Sequence, residues 1–206
     1  HKGELIFKKY FPRYWSFVFY VTYLLTSAFV LLVWIYSPLI SLCIFFLVAS
    51  FHFGYEDLEM FFSQNFILET PLYFLRGLII ISAPLYLNNV ETVNFINILL
   101  LGEQWINLET AIYSYIFYFN LVLIFFLTLL FWIRKNINLK DFFIISFEVL
   151  SIVIIFKYLP LILAFTMYFC FMHSTKHILS LAVELNGSNV YAGIKLFAKK
   201  AAPLTI

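Results

Sequence analysis

Long apolar runs divided by short polar breaks make up almost the whole chain. Six runs stand out: Tyr14 to Tyr36, Pro38 to Phe62, Pro71 to Leu87, Thr110 to Ile133, Leu139 to Tyr158 and Pro160 to Val183. Each is near the ~20 residues that a helix needs to cross a bilayer, the third being the shortest. Pro38, Pro71 and Pro160 each open a run, where a missing backbone N–H costs least. Between the third and fourth runs, Asn88 to Glu109 is polar enough for a loop, with a short helix around Phe95 to Leu101. The tail from Val190 to Ile206 either begins a seventh span or lies along the interface. The pattern predicts one all-α domain over residues 1–206, a polytopic integral membrane protein of six transmembrane helices with room for a seventh.

Composition agrees with that pattern. The 206 residues are 64% hydrophobic and 22% aromatic, and mean hydropathy is +0.95. Only 12% are charged, about half the share in soluble domains. The net charge of +2 matters less than where the charges fall. Lys2, Lys8, Lys9 and Arg13 precede the first run, Arg134, Lys135 and Lys140 lie between the fourth and fifth, and Lys195, Lys199 and Lys200 follow the sixth. If the runs alternate, all three groups share one side. The stretch Asn88 to Glu109, on the other side, carries Glu91, Glu103 and Glu109 and no basic residue. This asymmetry predicts a multi-pass cell-membrane protein with its starting end in the cytoplasm. No basic stripe suits nucleic acid. Cys43 and Cys170 both sit in apolar runs and read as packed thiols. The chain starts at histidine, not methionine, so further sequence is expected at its N-terminal side, with room for more after its C-terminal end.

The informative exceptions are polar residues inside the apolar runs. Three of the four histidines fall in two clusters, F-H-F-G-Y-E-D with His52 and F-M-H-S-T-K-H with His173 and His177. Ionisable groups at membrane depth are costly and tend to mark function. His173 and His177 are four apart, so both leave one helical face. His52 lies fourteen residues past Pro38 and His173 thirteen past Pro160, each roughly 20 Å along a helix running the same way. They should share a depth, with His177 one turn beyond. Glu148, nine residues past Leu139 on a helix running the other way, reaches nearly the same layer.

Three imidazoles at one depth suit iron, zinc or copper. Glu56, Asp57 or Glu148 could orient a ligand ring through its other nitrogen. Phe51, Phe53, Tyr55, Phe165, Tyr168 and Phe169 crowd the histidines, as the lining of a long apolar substrate would. Arg76 either snorkels or pairs with an acid. Two other classes also accommodate these residues. A haem-binding electron-transfer protein would use His52 and His173 as axial ligands. A transporter or proton relay would use intramembrane His and Glu, although no repeated halves are present. Membrane desaturases with two irons need about twice as many histidines.

The two clusters carry a family resemblance. Ser50-Phe51-His52-Phe53-Gly54-Tyr55-Glu56-Asp57 resembles the H-F-G-x-x-D motif of the Brp/Blh family, the bacterial and archaeal β-carotene 15,15′-dioxygenases. The stretch from Phe165 to His177 resembles that family's F-x-x-Y-F-x-x-x-H-S-x-R-H signature, with Lys176 in place of the arginine. Arg76-Gly77 and Ala83-Pro84-Leu85 are similar to a third stretch between them. The resemblance implies a non-haem Fe2+ held by four histidines, with His52, His173 and His177 matching three of them. The family's fourth ligand belongs to an upstream P-H-G-x-x-D motif. Here His1 is followed by Lys2-Gly3-Glu4, so either His1 supplies that ligand or it comes from a segment outside this sequence. The implied reaction cleaves the central bond of β-carotene with O2. It gives two all-trans retinal molecules for a retinal-binding microbial rhodopsin.

Overall fold

The computed structural model describes residues 9–62, 66–100, 110–187 and 189–205, and these are helical with no strand among them. The elements in chain order are α1 (Trp15–Tyr36), α2 (Pro38–Leu58) with a closing 3₁₀ turn (Glu59–Phe61), α3 (Phe66–Leu87) and α4 (Asn89–Leu99). Then come α5 (Thr110–Ile133), α6 (Leu139–Tyr158) and α7 (Leu161–Met167). A π-helical turn (Tyr168–His173) leads into α8 (Ser174–Leu185), and α9 (Val190–Thr205) follows.

Among the described residues, four stretches are long and apolar enough to cross a membrane: Trp15–Tyr36, Pro38–Phe61, Leu68–Leu87 and Ala111–Ile133. The fifth and sixth expected spans do form helices. However, α6 carries Lys140, Asp141, Glu148 and Lys157, and the sixth run is divided by the π turn. α1 is apolar yet has no buried residue, and residues such as Phe17, Tyr20 and Leu24 are exposed. Apolar surface on this scale is compatible with contact with lipid rather than water.

Three details differ from the sequence pattern. α3 begins at Phe66, so Pro71 lies inside the helix rather than at its start. Pro71 lies beyond the four N–H groups that a helix start leaves unbonded, so it forgoes one backbone hydrogen bond of the helix. The short helix after α3 starts at Asn89, well before Phe95, which makes α4 a direct continuation past a one-residue break. The two cysteines are exposed rather than packed.

The tightest packing joins α2 to α3. A Cβ on Gly54 would overlap the Tyr73 carbonyl, and one on Gly77 would overlap the Ser50 carbonyl. These two glycines let the backbones touch, as small residues do between helices in lipid. The main core is then filled by Leu58, Leu72 and Ile79 from this pair, Ile145, Val149 and Ile152 from α6, and Ala164 and Tyr168. This packing brings Arg76 of α3 against Asp57 of α2, and both against the α7–π–α8 segment.

Candidate metal and substrate site

Asp57 is the centre of the site. It is 1% exposed and comes from the last turn of α2. Its Oδ2 accepts from the Tyr168 hydroxyl at 3.0 Å and pairs with Arg76 Nη2 at 3.0 Å. Its Oδ1 lies 3.2 Å from His173 Nδ1. Its backbone carbonyl accepts from Lys176 Nζ at 3.0 Å. Four groups from α3, the π turn and α8 therefore converge on one residue. Arg76 has no exposed surface, so an ion pair is what allows it there.

Glu148 closes the network from α6. Its Oε2 accepts from Lys176 Nζ at 2.5 Å and lies 3.5 Å from Arg76 Nη2. The sequence expectation that Glu148 would lie near the histidine layer holds in position. Its partners, however, are the two cations and not an imidazole. Arg76 pairs with an acid and does not snorkel. Lys176, which stands where the family motif has arginine, bridges Glu148 and the Asp57 carbonyl with a single ammonium, an arrangement that needs no fork of donors.

The histidines lie on the far side of Asp57 from Arg76. His52 and His173 meet, with ring centroids 6.0 Å apart. This agrees with the equal depth inferred from their distances to Pro38 and Pro160. One turn on, His177 Nδ1 lies 2.9 Å from Glu56 Oε2. Glu56 and Asp57 thus each hold the Nδ1 of one histidine and leave its Nε2 free. His52 and His177 are exposed, while His173 is largely covered. His1 lies outside the described residues. Among the described residues no three histidine, cysteine or carboxylate side chains already close on one point.

Beside the histidines is an apolar cavity of about 520 Å³. Phe53, Phe165 and Phe169 form the wall nearest the site, and Phe53 and Phe169 both contact the His173 ring, at 5.2 and 6.0 Å between centroids. The expected lining is otherwise rearranged. Tyr168 is fully buried and turned onto Asp57, so it supports the site from beneath. Phe51 stacks on Tyr55 at 6.1 Å. Tyr55 itself faces a second, more polar cavity of about 540 Å³ with Glu59, Glu69, Tyr73 and Ser180. The apolar cavity also takes walls from α4 that the sequence pattern did not single out, through Thr92, Phe95, Ile96 and Leu99. α4 is fixed there because Leu161 N donates to Glu91 Oε2 at 3.0 Å and Asn88 Nδ2 donates to the Leu159 carbonyl at 3.3 Å.

A helical protein with apolar, span-length helices and carboxylate-held imidazoles beside an apolar cavity is compatible with a membrane enzyme. A family model described as beta-carotene 15,15'-dioxygenase matches residues 1–206. The chain belongs to the β-carotene 15,15′-dioxygenase family, and that membership marks it as a carotene dioxygenase. Neither the curated proteins nor the solved structures searched gave a match.

Proposed function

We propose that this protein cleaves the central 15,15′ double bond of β-carotene at a non-haem iron held by His52, His173 and His177, yielding two all-trans retinal molecules. The observation that carries the proposal is the pairing of His173 Nδ1 with Asp57 and of His177 Nδ1 with Glu56. A carboxylate on Nδ1 fixes the ring and its tautomer and presents Nε2 as the donor to a metal. Metal–imidazole bonds are about 2.1 Å long, so two rings on one ion have centroids separated by up to ~6 Å. The His52–His173 separation of 6.0 Å fits the outer edge of that range. His52 and His177, being exposed, have room to turn into place by rotamer change. A fourth imidazole, from His1 or from a segment outside this sequence, would complete the family's ligand set.

Bound iron would supply the activation of O2. The rest of the task falls to the chain. Neutral imidazoles leave the metal's charge uncompensated, and Glu56 and Asp57 place negative charge directly behind two of them. The Arg76 contact keeps Asp57 oriented toward His173. The apolar cavity excludes water and holds the polyene by shape, since the hydrocarbon offers no polar handle. The reaction balances without an external reductant: one carbon–carbon double bond and one O2 become two aldehyde carbonyls. The lipid-soluble substrate would arrive through the bilayer, and the product would serve a retinal-binding rhodopsin. We read the α6 and α7–π–α8 segments as the fifth and sixth membrane passes, with the starting end cytoplasmic.

The test is co-expression with a β-carotene pathway in a host that makes no retinal. Loss of orange colour with accumulation of retinal is expected. Unchanged β-carotene despite ample membrane-inserted, iron-loaded protein would refute the proposal.

A further inference from the structure

We infer that the apolar cavity is a measuring slot that receives one ring-bearing half of the carotene, and that its depth selects which double bond lies at the histidines. This rests on the function proposed above. The slot has a near end and a far end. Phe53 and Phe169 form the near end and touch the His173 ring. Trp34 of α1, Leu42 of α2 and Leu99 of α4 form the far end. From Leu42 to Phe53 is eleven residues of one helix, or roughly 16 Å of depth. A C20 half of the substrate, ring included, is a rod of about that length.

Volume and chemistry point to the same occupant. A cavity of about 520 Å³ is the size that takes a drug-sized molecule, and twenty carbons fit that description. The whole C40 molecule does not, so the other half must extend past the histidines. The slot offers no hydrogen bond to a ligand. The hydroxyl of Thr92 is turned away to donate to the Pro84 carbonyl at 3.0 Å, and the surface the wall presents is apolar. With nothing polar to fix the substrate's position, contact of its ring with the far end is the remaining way to set register. The far end is packed firmly enough to act as a stop, because Leu42 and Ile96 are almost fully buried there with Leu100.

The test shortens and lengthens the slot without touching the histidines. Leu99→Trp fills the far end and Trp34→Ala opens it. Both positions are only partly buried. Product aldehydes would be separated by chromatography and counted per iron-loaded chain. Leu99→Trp is expected to lower retinal output about tenfold or more, since a misfit of a few methylenes in an apolar pocket has at least that effect. Trp34→Ala is expected to add aldehyde pairs of unequal length, from O2 cleavage of neighbouring double bonds. Ile98→Trp, the same kind of enlargement on the exposed face of α4, should behave as the parent does. Retinal alone at parental rate from both Leu99→Trp and Trp34→Ala would overturn the inference, as would an equal loss in Ile98→Trp. A parent chain that makes no aldehyde at all would instead refute the underlying function.

Discussion

Replacing Asp57 with alanine should be among the most damaging single changes in the molecule. Arg76 and Asp57 are 0% and 1% exposed and lie 3.0 Å apart. Solvent therefore cannot take over the role of the missing carboxylate. Glu148 is the remaining acid within reach of Arg76, at 3.5 Å, and it is already engaged by Lys176. Arg76 Nε and Nη1 have no partner among the described residues, so the guanidinium has little left to lose. Breaking a buried pair from one side costs about 3–5 kcal/mol, because the other charge stays behind uncompensated. For a chain of this size that corresponds to a fall of roughly 6–20 °C in Tm. Arg76→Met alone should cost a similar amount, leaving Asp57 supported only by Tyr168, His173 and Lys176. The double variant should lose less than the sum, with a coupling of about 1–3 kcal/mol. Thermal unfolding of the purified protein in mild detergent measures all four corners of the cycle. A Tm for Asp57→Ala within about 2 °C of the parent, or a strictly additive double variant, would refute the reasoning.

Three further outcomes are expected. Glu56→Gln should weaken iron binding about 10–100-fold by loosening His177, with little effect on Tm because the pair is at the surface; metal analysis after graded chelation measures it, and unchanged affinity would disconnect Glu56 from the ligand set. Gly77→Leu should prevent the folded protein from accumulating in membranes, since its side chain would enter the Ser50 backbone; normal levels on a fluorescence gel-filtration trace would contradict the close α2–α3 contact. Inserting one alanine after Cys170, whose side chain is exposed, should add one helical step that the π turn cannot absorb and turn the part of the helix before it by about 100° relative to His173; the slot wall and the ligand would then separate, and retinal production at the parental rate would rule this out.

Much of the fold was legible because an apolar run of span length satisfies its backbone groups most simply within one helix, so apolar runs map onto helices. Leu139 to Tyr158 and Thr110 to Ile133 are matched residue for residue. The meeting of His52 and His173 was legible for the same reason, since helical rise converts a residue count into depth. What was not legible depends on lateral packing. Nothing in the count from Pro38 says that Asp57, rather than Glu148, will face His173. That choice follows from the Gly54–Gly77 contact, which sets which faces of α2 and α3 meet. Arg76-Gly77 in sequence held the signal, a charge beside a residue small enough for close approach. The α4 wall was hidden for a different reason. Its apolar positions are interrupted by Asn89, Glu91, Asn94 and Asn97, and Glu91 and Asn88 reaching the α6–α7 connection hold it alongside the Leu42–Ile96–Leu100 cluster.

The π turn explains how one helix can serve two purposes. Leu161, Phe165 and Phe169 line the slot, and His173 continues the same series at intervals of four. In a regular α-helix each step of four residues drifts by 40°, so three steps would carry His173 about 120° away from Leu161. It would then face away from the cavity that Leu161 lines. The wider i→i+5 turn takes up part of that drift, and it falls at Tyr168–His173, between the slot wall and the ligand. Phe165 and Phe169 stack at 6.0 Å with an interplanar angle of 15°, and Phe169 meets His173 edge to face at 6.0 Å. The series therefore stays on one line from the far wall to the imidazole. A π turn is less favourable than the α-helix it interrupts, so its retention at this point is most economically explained by the alignment it provides. On this account the substrate slot and the metal ligands are aligned by one local feature of the backbone, while the buried Arg76–Asp57 pair holds that feature against the rest of the bundle.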